Sequence, residues 1–196
     1  MYAKSTTTIA NILEEAKKLF VSKNYADVTM LDIAEAAQVT KGALYHHFAN
    51  KEALYVAMML AYLQEKQVLL QSAVASDGPC RERLRHLTLN FLSLPSEEQA
   101  MMKLVRRDIN IFKDPIRDKL IRAYQAALPE QVEAIIRDGI REGELVDTDP
   151  RLLAWEYVAI VEVVLSRYAQ GVLGNHNHLA DYVLNLFFNG VKATGA

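Results

Sequence analysis

Side chains suited to binding a nucleic acid are concentrated between residues 29 and 51. They are hydroxyl, ammonium, phenol and imidazole groups beside two very small residues: Thr29, Thr40, Lys41, Gly42, Ala43, Tyr45, His46, His47 and Lys51. A lysine can donate to guanine or to a phosphate, and an alanine methyl can touch a thymine methyl. Glycine and alanine keep a helix slim enough for the major groove. The predicted chemistry is therefore noncovalent contact with base edges and phosphates, and no catalytic residue is predicted.

The polar members of this set are given different roles. Lys41 and His46 are predicted to make direct contacts with DNA, and Tyr45 and Lys51 to bind phosphates. Lys51 lies in the first turn of a helix, where free N–H groups favour an anion. Thr29 also stands at a helix start and is predicted to donate to phosphate in the same way.

Two short helices joined by a tight turn must position these side chains. Leu44 and Phe48 are spaced i and i+4, so they place the buried face of the second of these helices opposite Lys41. Thr29, with Asp32 three residues on, is predicted to cap the first of these helices, Thr40 the second, and Asn50 the helix that follows. His47 lies between the two faces and is left open between a packing role and a DNA contact. The arrangement indicates a helix-turn-helix reader of DNA.

The helical pattern extends through the whole chain. Apolar residues recur at helical spacing and no stretch alternates for long as a strand would, which predicts an all-α protein. An N-terminal three-helix helix-turn-helix domain is predicted over residues 1–50. A larger helical ligand-binding and dimerisation domain is predicted over 51–196, joined to the first by a long helix without a Gly, Ser or Pro linker.

The segment resembles the DNA-binding domain of tetracycline-repressor (TetR) family regulators over about the first 55 residues. The residues that carry the resemblance are Phe20, Tyr25, Thr29, Ile33, Ala34, Ala37, Val39, Thr40, Lys41, Gly42, Leu44, Tyr45, His47, Phe48, Lys51 and Leu54. Two positions depart from the family pattern, which often has Gly at both. Asn24 is expected to close the first helix in the left-handed conformation. Gln38 lies in the turn and is strained by about 1 kcal/mol if that turn needs a positive φ.

The C-terminal helices predict a dimer. A helix that starts at Asp149-Pro150 is expected to reach about Gln170. The run from Leu152 to Leu165 is apolar around most of its circumference, which requires burial on more than one side, either by a partner or by a larger core within the chain. The last helix, from about Leu179 to Lys192, has a second broad apolar face that includes Val191. The predicted interface residues are Val158, Val161, Leu165, Tyr182, Val183, Leu186 and Phe187. A homodimer suits a palindromic operator in double-stranded DNA, and the resemblance implies the same use of the final two helices.

The resemblance also implies a cavity for a small-molecule effector, with ligand-released repression as the usual behaviour. Candidate lining residues are aromatic or soft side chains of the presumed core: Tyr62, Phe91, Met101, Met102, Val105, Tyr124, Trp155 and Tyr168. Core packing is the more ordinary use for each of them, and methionine is by itself weak evidence for a ligand site. This mixture favours a hydrophobic or aromatic effector over a highly charged one. No cofactor is predicted.

Charge gives the DNA-binding prediction no support of its own. The formal net charge is −2, and residues 1–54 carry equal numbers of basic and acidic side chains. Phosphate binding must then depend on where the charges lie. No apolar stretch is long and uncharged enough to serve as a signal peptide or to span a bilayer, so a cytoplasmic protein without membrane contact is expected.

Two other classes of function remain open at this level. An enzyme has little support, because the sequence has no Gly-rich phosphate loop, nucleophile elbow or zinc signature. The only close cluster of metal-ligand residue types is His176, His178 and Asp181, in a predicted loop, with no role assigned and no metal predicted. The alternative reading is a helical interaction or small-molecule-binding protein without a DNA role.

Overall fold

The structure is a computed structural model that describes the backbone of residues 2–190 and the side chains of residues 6–71 and 74–190. It contains no strand within residues 2–190, which confirms the all-α prediction. Its helices are α1 Tyr2–Ser22, α2 Met30–Ala36, α3 Lys41–His47, α4 Lys51–Val74, α5 Cys80–Leu92, α6 Ser96–Asp108, α7 Ile116–Ala127, α8 Pro129–Arg141, α9 Pro150–Val164, α10 Arg167–Leu173 and α11 His176–Asn189. Short 3-10 turns, Tyr25–Asp27 and Ile109–Ile111, follow α1 and α6.

The described residues form two compact units. Unit 1 comprises the described chain up to Gln64 together with Pro95–Ala123, and unit 2 comprises Glu65–Leu94 together with the described chain from Tyr124 onward. The long helix α4 begins in unit 1 and continues into unit 2 without a break. The domain limits given above, 1–50 and 51–196, stay a prediction.

The core of unit 1 joins the helix-turn-helix segment to the first helix. Ile12 and Phe20 of α1 are almost fully buried, as are Ile33 of α2 and Leu44 of α3. The Asn11 side-chain amide donates to the Ala37 carbonyl at 2.8 Å, so α1 also holds the end of α2. The apolar stripes predicted from the sequence therefore form one shared core.

Local capping decides where the helices of the reader begin. Thr29 and Asp32 form a reciprocal capping box at α2. The Thr40 hydroxyl oxygen accepts from the Ala43 N–H at 3.1 Å, and the Asn50 side-chain oxygen accepts from the Ala53 N–H at 2.8 Å. The predicted caps at Thr29, Thr40 and Asn50 are confirmed.

The two departures from the family pattern have opposite outcomes. Helix α1 ends at Ser22, and Asn24 is extended (φ −73°, ψ 157°), so the prediction of a left-handed cap at Asn24 is wrong. Its amide instead donates to the Asp27 carboxylate at 3.2 Å. Gln38 has φ +55°, so the turn between α2 and α3 does require a positive φ.

Two predicted helix limits in unit 2 are wrong. The helix that starts at Asp149-Pro150 was expected to reach Gln170, but α9 ends at Val164 and Ser166 caps the separate helix α10. The last helix begins at His176 and not near Leu179, because the Asn175 side chain accepts from the His178 N–H at 3.1 Å. Val191 and Lys192 lie outside the described residues.

One close approach defines the packing of unit 2. A Cβ placed on Gly139 of α8 would lie 2.7 Å from Cys80 Cβ and 2.8 Å from Cys80 Sγ, at the start of α5. Only glycine allows these two helices to meet at this distance. No helix in the described part of the chain is long and apolar enough to cross a membrane.

Candidate nucleic-acid interface

Helix α3 is anchored on one side and open on the other. Leu44 is fully buried and Phe48, directly after the helix, is 8% exposed. On the opposite side Lys41, Gly42 and His46 are exposed. The predicted separation between a buried face and a polar face is therefore confirmed for this helix.

Packing within the chain does not require a residue as small as Gly42 in α3. A Cβ built on Gly42 would meet no heavy atom within 4 Å, and the residue has no positive φ. Since glycine weakens a helix relative to alanine by about 1 kcal/mol, packing within the chain does not explain it. A surface that approaches α3 from outside does explain it.

Four of the predicted contact residues line one shallow groove of about 370 Å³. These four are Thr29, Lys41, Tyr45 and Lys51. The other lining residues are Ala26, Val28, Met30 and Leu31. The Lys41 ammonium lies 5.9 Å from the centre of the Tyr45 ring, and that ring is 44% exposed. Leu31 is 52% exposed in the same groove. The sequence patterns did not indicate Leu31, because it precedes the predicted recognition helix. The first turn of α2 and the first two turns of α3 thus present one surface.

Lys51 is engaged within the chain. Its ammonium donates to the Tyr25 carbonyl at 2.7 Å and to the Val28 carbonyl at 2.9 Å, and it lies 4.3 Å from the centre of the Tyr25 ring. These contacts fix the segment that leads into α2. The arrangement gives Lys51 a structural task that the prediction of a phosphate contact did not include.

The hydroxyl of Thr29 is also used locally. It donates to the Asp32 carboxylate at 2.8 Å and accepts from the Asp32 N–H at 3.1 Å. Hydrogen bonds from the Thr29 backbone and side chain hold the pKa of Asp32 below its usual value, so a negative charge stands at this helix start. Thr29 is therefore poorly placed to donate to a phosphate, since a competing carboxylate already accepts its proton.

The other members of the predicted set differ in exposure. The Ala43 side chain is partly buried, and the Thr40 oxygen is used in capping while its proton remains available to an outside acceptor. The His46 and His47 rings lie edge to face at 5.3 Å, with His46 exposed and His47 partly buried. His47 thus combines packing with an accessible edge.

A buried polar cluster of unit 1 was not found from the sequence. The Tyr55 hydroxyl donates to Asp108 at 2.5 Å, and Arg107 Nε donates to the same carboxylate at 2.5 Å. Burial alone would raise the pKa of Asp108, but the hydrogen bonds from Arg107 and Tyr55 hold it below its usual value. The Tyr55 ring contacts Phe20 and Tyr25 at 4.4 and 4.8 Å. No local sequence pattern indicates such a cluster, because its members come from segments far apart in the sequence.

The predicted interface residues of unit 2 fall into two groups. Val158, Val161, Leu165 and Val183 are at most 6% exposed within the chain itself. They have almost no surface to offer a partner, so their assignment to a dimer interface is corrected to the core of unit 2. Tyr182 is 44% exposed, and Leu186 and Phe187 are partly exposed, with Phe187 edge-on to the Tyr157 ring at 5.0 Å.

The candidate effector residues are divided between the units. Tyr62, Met101, Met102 and Val105 are buried in unit 1, where the Tyr62 hydroxyl donates to the Glu98 carbonyl at 2.7 Å. In unit 2, Phe91 and Tyr124 are buried, and the Tyr124 and Trp155 rings stack at 6.2 Å.

Tyr168 is 81% exposed on α10. Its prediction as a lining residue of a buried cavity is wrong, because so exposed a side chain does not belong to the core that would enclose an effector.

Two members of the cluster of metal-ligand residue types, Asp181 and His178, have partners within the chain. Asp181 pairs with Arg85 at 3.1 Å, and His178 Nδ1 lies 3.0 Å from the Leu173 carbonyl. Within the described residues no group of three or more His, Cys, Asp or Glu is arranged to hold a metal ion. Burial, reinforced by Glu144, raises the pKa of Cys80 to about 12, which keeps the thiol protonated.

Comparison with known protein families decides the identity of the chain. The family described as bacterial regulatory proteins, tetR family, matches residues 12–58. The tetracyclin repressor-like C-terminal domain matches residues 77–191. The chain belongs to the TetR family of transcriptional regulators. Regulators of this family bind DNA, act as dimers with small-molecule effectors, and are not enzymes.

Individual relatives agree with this assignment. The chain is 27% identical to the helix-turn-helix transcriptional regulator YhgD of Bacillus subtilis, over 76% of this chain and 80% of YhgD. It is also 27% identical to the transcriptional repressor AcnR of Corynebacterium glutamicum, over 86% of this chain and 85% of AcnR. Its fold is similar to that of FadR from Bacillus subtilis, solved with stearoyl-CoA, with a TM-score of 0.79 at 17% identity, covering 93% of this chain and 99% of FadR.

Proposed function

We propose that this TetR-family regulator is a homodimeric repressor that binds a palindromic operator through α3 and is released by a small apolar or aromatic molecule. The observation that carries the DNA part of the proposal is the open side of α3. Lys41, Tyr45 and His46 are exposed there around Gly42, whose missing side chain serves no packing within the chain. This is the form that a helix needs to enter a major groove and to approach base edges.

Two substitutions at Gly42 test stability and DNA binding, which we expect to change in opposite directions. Gly42→Ala fits the open space and raises helix propensity, so it should stabilise the protein by up to about 1 kcal/mol. Gly42→Val should weaken binding to an operator selected from random duplexes by at least about tenfold, because the added side chain keeps the helix from the groove. Fluorescence anisotropy measures the affinity and thermal unfolding measures the stability.

Two further variants separate DNA contact from folding. Lys41→Ala and Tyr45→Ala remove exposed side chains and should lower DNA affinity while leaving the melting temperature within about 2 °C of wild type, as expected for surface positions. Arg151→Ala, on the exposed side of unit 2, is the matched control. Unchanged affinity in Gly42→Val, Lys41→Ala and Tyr45→Ala would refute α3 as the reader and favour the helical interaction protein.

The proposed dimer surface uses the exposed stripes of α9 and α11. On α9, Leu152 and Val163 are 57% and 61% exposed; on α11, Tyr182 is 44% exposed and Leu186 is partly exposed. An isologous pairing of these helices in two copies would cover this apolar surface. Val163→Glu together with Tyr182→Glu should shift sedimentation from dimer to monomer without unfolding. A wild-type protein that sediments as a monomer at micromolar concentration would refute the dimer.

Helix α6 supports a mechanism for release by an effector. Its buried Met101, Met102 and Val105 are among the proposed effector contacts. Glu98 at one end pairs with Lys17 of α1 at 2.6 Å, and Asp108 at the other end accepts from Tyr55 of α4. A ligand that binds better to one position of α6 would therefore change the position of the DNA-reading helices. By linkage, a bound effector would lower the affinity for DNA by the same factor by which bound DNA lowers the affinity for the effector.

The effector class is tested by thermal shift. Stearoyl-CoA, free fatty acids and aromatic compounds are the first probes, with stearoyl-CoA included because FadR was solved with it. Apolar compounds are expected to raise the melting temperature and to release the selected operator. Stabilisation by polar metabolites alone would refute the apolar preference.

A further inference from the structure

The positive charge of unit 1 does not lie in its helix-turn-helix segment. Residues 1–54 carry six lysines and six acidic residues. The segment from Lys103 to Arg122 carries seven Lys and Arg against three Asp. Unit 1 has thirteen basic and eleven acidic residues, whereas the described part of unit 2 has eight basic and thirteen acidic residues. We call the segment Lys103–Arg122 the basic corner. It comprises the end of α6, the following turn and most of α7.

The basic corner is anchored beside the groove of the reader. Phe112 is 4% exposed, and its ring lies 6.2 Å from Tyr25 and 5.8 Å from Tyr55. Tyr25 is in turn contacted by Lys51, which lines the groove of α2 and α3. Lys113, directly after Phe112, is therefore held near the segment that leads into α2.

Several charges of the corner remain available to an outside partner. Lys113, Lys119 and Arg122 are exposed and form no ion pair with any described residue. Lys119 and Arg122 are spaced i and i+3, so they share one side of α7. By contrast, Arg117 is paired with Asp114 at 3.1 Å. The free cations thus follow an exposed turn and one side of a helix.

An extended polyanion fits this distribution. The cations are exposed and spread along the chain, which suits phosphates in a row more than one small anion. The reader itself is electrically neutral, and affinity for DNA depends strongly on the number of phosphates neutralised. We propose that the basic corner binds the phosphate backbone of the DNA that flanks the operator core. This inference rests on the proposed DNA-binding function and adds a contact surface outside the helix-turn-helix.

The test compares two duplexes. The core duplex is the shortest sequence that wild-type protein selects from random DNA, and the extended duplex adds about one helical turn of unrelated sequence at each end. Wild type should bind the extended duplex about tenfold more tightly at about 0.1 M salt, with a steeper fall of affinity with salt. Lys113→Gln/Lys119→Gln should bind both duplexes alike, and its slope of log K against log salt should be smaller by about 2 to 4 for a dimer.

The controls separate charge from folding and from the reader. Lys113→Arg/Lys119→Arg should keep the gain from the flanks, as should Arg151→Gln in unit 2. The inference is overturned if wild type gains nothing from the flanks, if the Gln variant keeps the gain, or if that variant loses affinity equally for both duplexes. A wild type that binds the core duplex without any gain from the flanks leaves the proposed function standing. If wild type selects no sequence from random DNA, both the inference and the proposed function are refuted.

Discussion

Lys51 offers a direct comparison between a structural role and a phosphate contact. Replacing Lys51 by Met keeps most of the apolar stem but removes the ammonium that donates to the Tyr25 and Val28 carbonyls. The change also removes its interaction with the Tyr25 ring. The segment between α1 and α2 then loses its tie to the start of α4.

The expected loss follows from these contacts. Each of the two partly exposed hydrogen bonds contributes about 1 kcal/mol, and the cation–π interaction contributes about 0.5–1 kcal/mol. Lys51→Met should therefore lower the free energy of unfolding by about 2–3 kcal/mol, or the melting temperature by roughly 5–10 °C. Lys51→Arg retains donors and charge and should recover most of the loss.

Thermal unfolding and salt-dependent DNA binding distinguish the two roles. If Lys51 mainly positions α2, Lys51→Met weakens DNA binding without changing the slope of log K against log salt. Lys41→Met, which removes an exposed charge, should instead reduce that slope by about 2 for a dimer with little change in stability. The reasoning is refuted if Lys51→Met melts with wild type and its salt slope falls as for Lys41→Met, since Lys51 would then be a phosphate contact.

Three further changes test other parts of the structure. Gln38→Gly should raise the melting temperature by about 2 °C, because relief of the positive φ exceeds the entropic cost of glycine; an unchanged or lower value would show that the turn is unstrained. Gly139→Ala should destabilise by about 2–3 kcal/mol in chemical denaturation, since its Cβ would overlap Cys80, and a wild-type midpoint would contradict the close packing. Stability should also fall below about pH 4, because the lowered pKa of Asp108 contributes stability that is lost when the carboxylate is protonated. Asp108→Asn should flatten this acid limb in unfolding curves measured against pH, and an equally steep limb in the variant would refute the assignment.

Features that depend on neighbours in the sequence were predictable. The caps at Thr29, Thr40 and Asn50 were correct, because a capping side chain binds a backbone N–H only a few residues ahead. A positive φ at Gln38 entered the sequence prediction only as a condition, which the structure meets. The open face of α3 followed from the spacing of Leu44 and Phe48. Asn24 failed because the 3-10 turn that follows it gave its amide a different partner, Asp27.

The sequence by itself determined an all-α TetR-family chain with a helix-turn-helix at its N-terminal end, since helical periodicity, caps and family residues are local. The tertiary structure decided which side of an apolar helix is buried: Val158 and Val161 belong to the core, whereas Val163 reaches the surface. It also decided that the Lys51 charge binds two carbonyls of its own chain. The physical reason is the same in both cases. Whether a side chain is apolar or charged can be read from the sequence. Its partner depends on which groups the fold brings within contact distance.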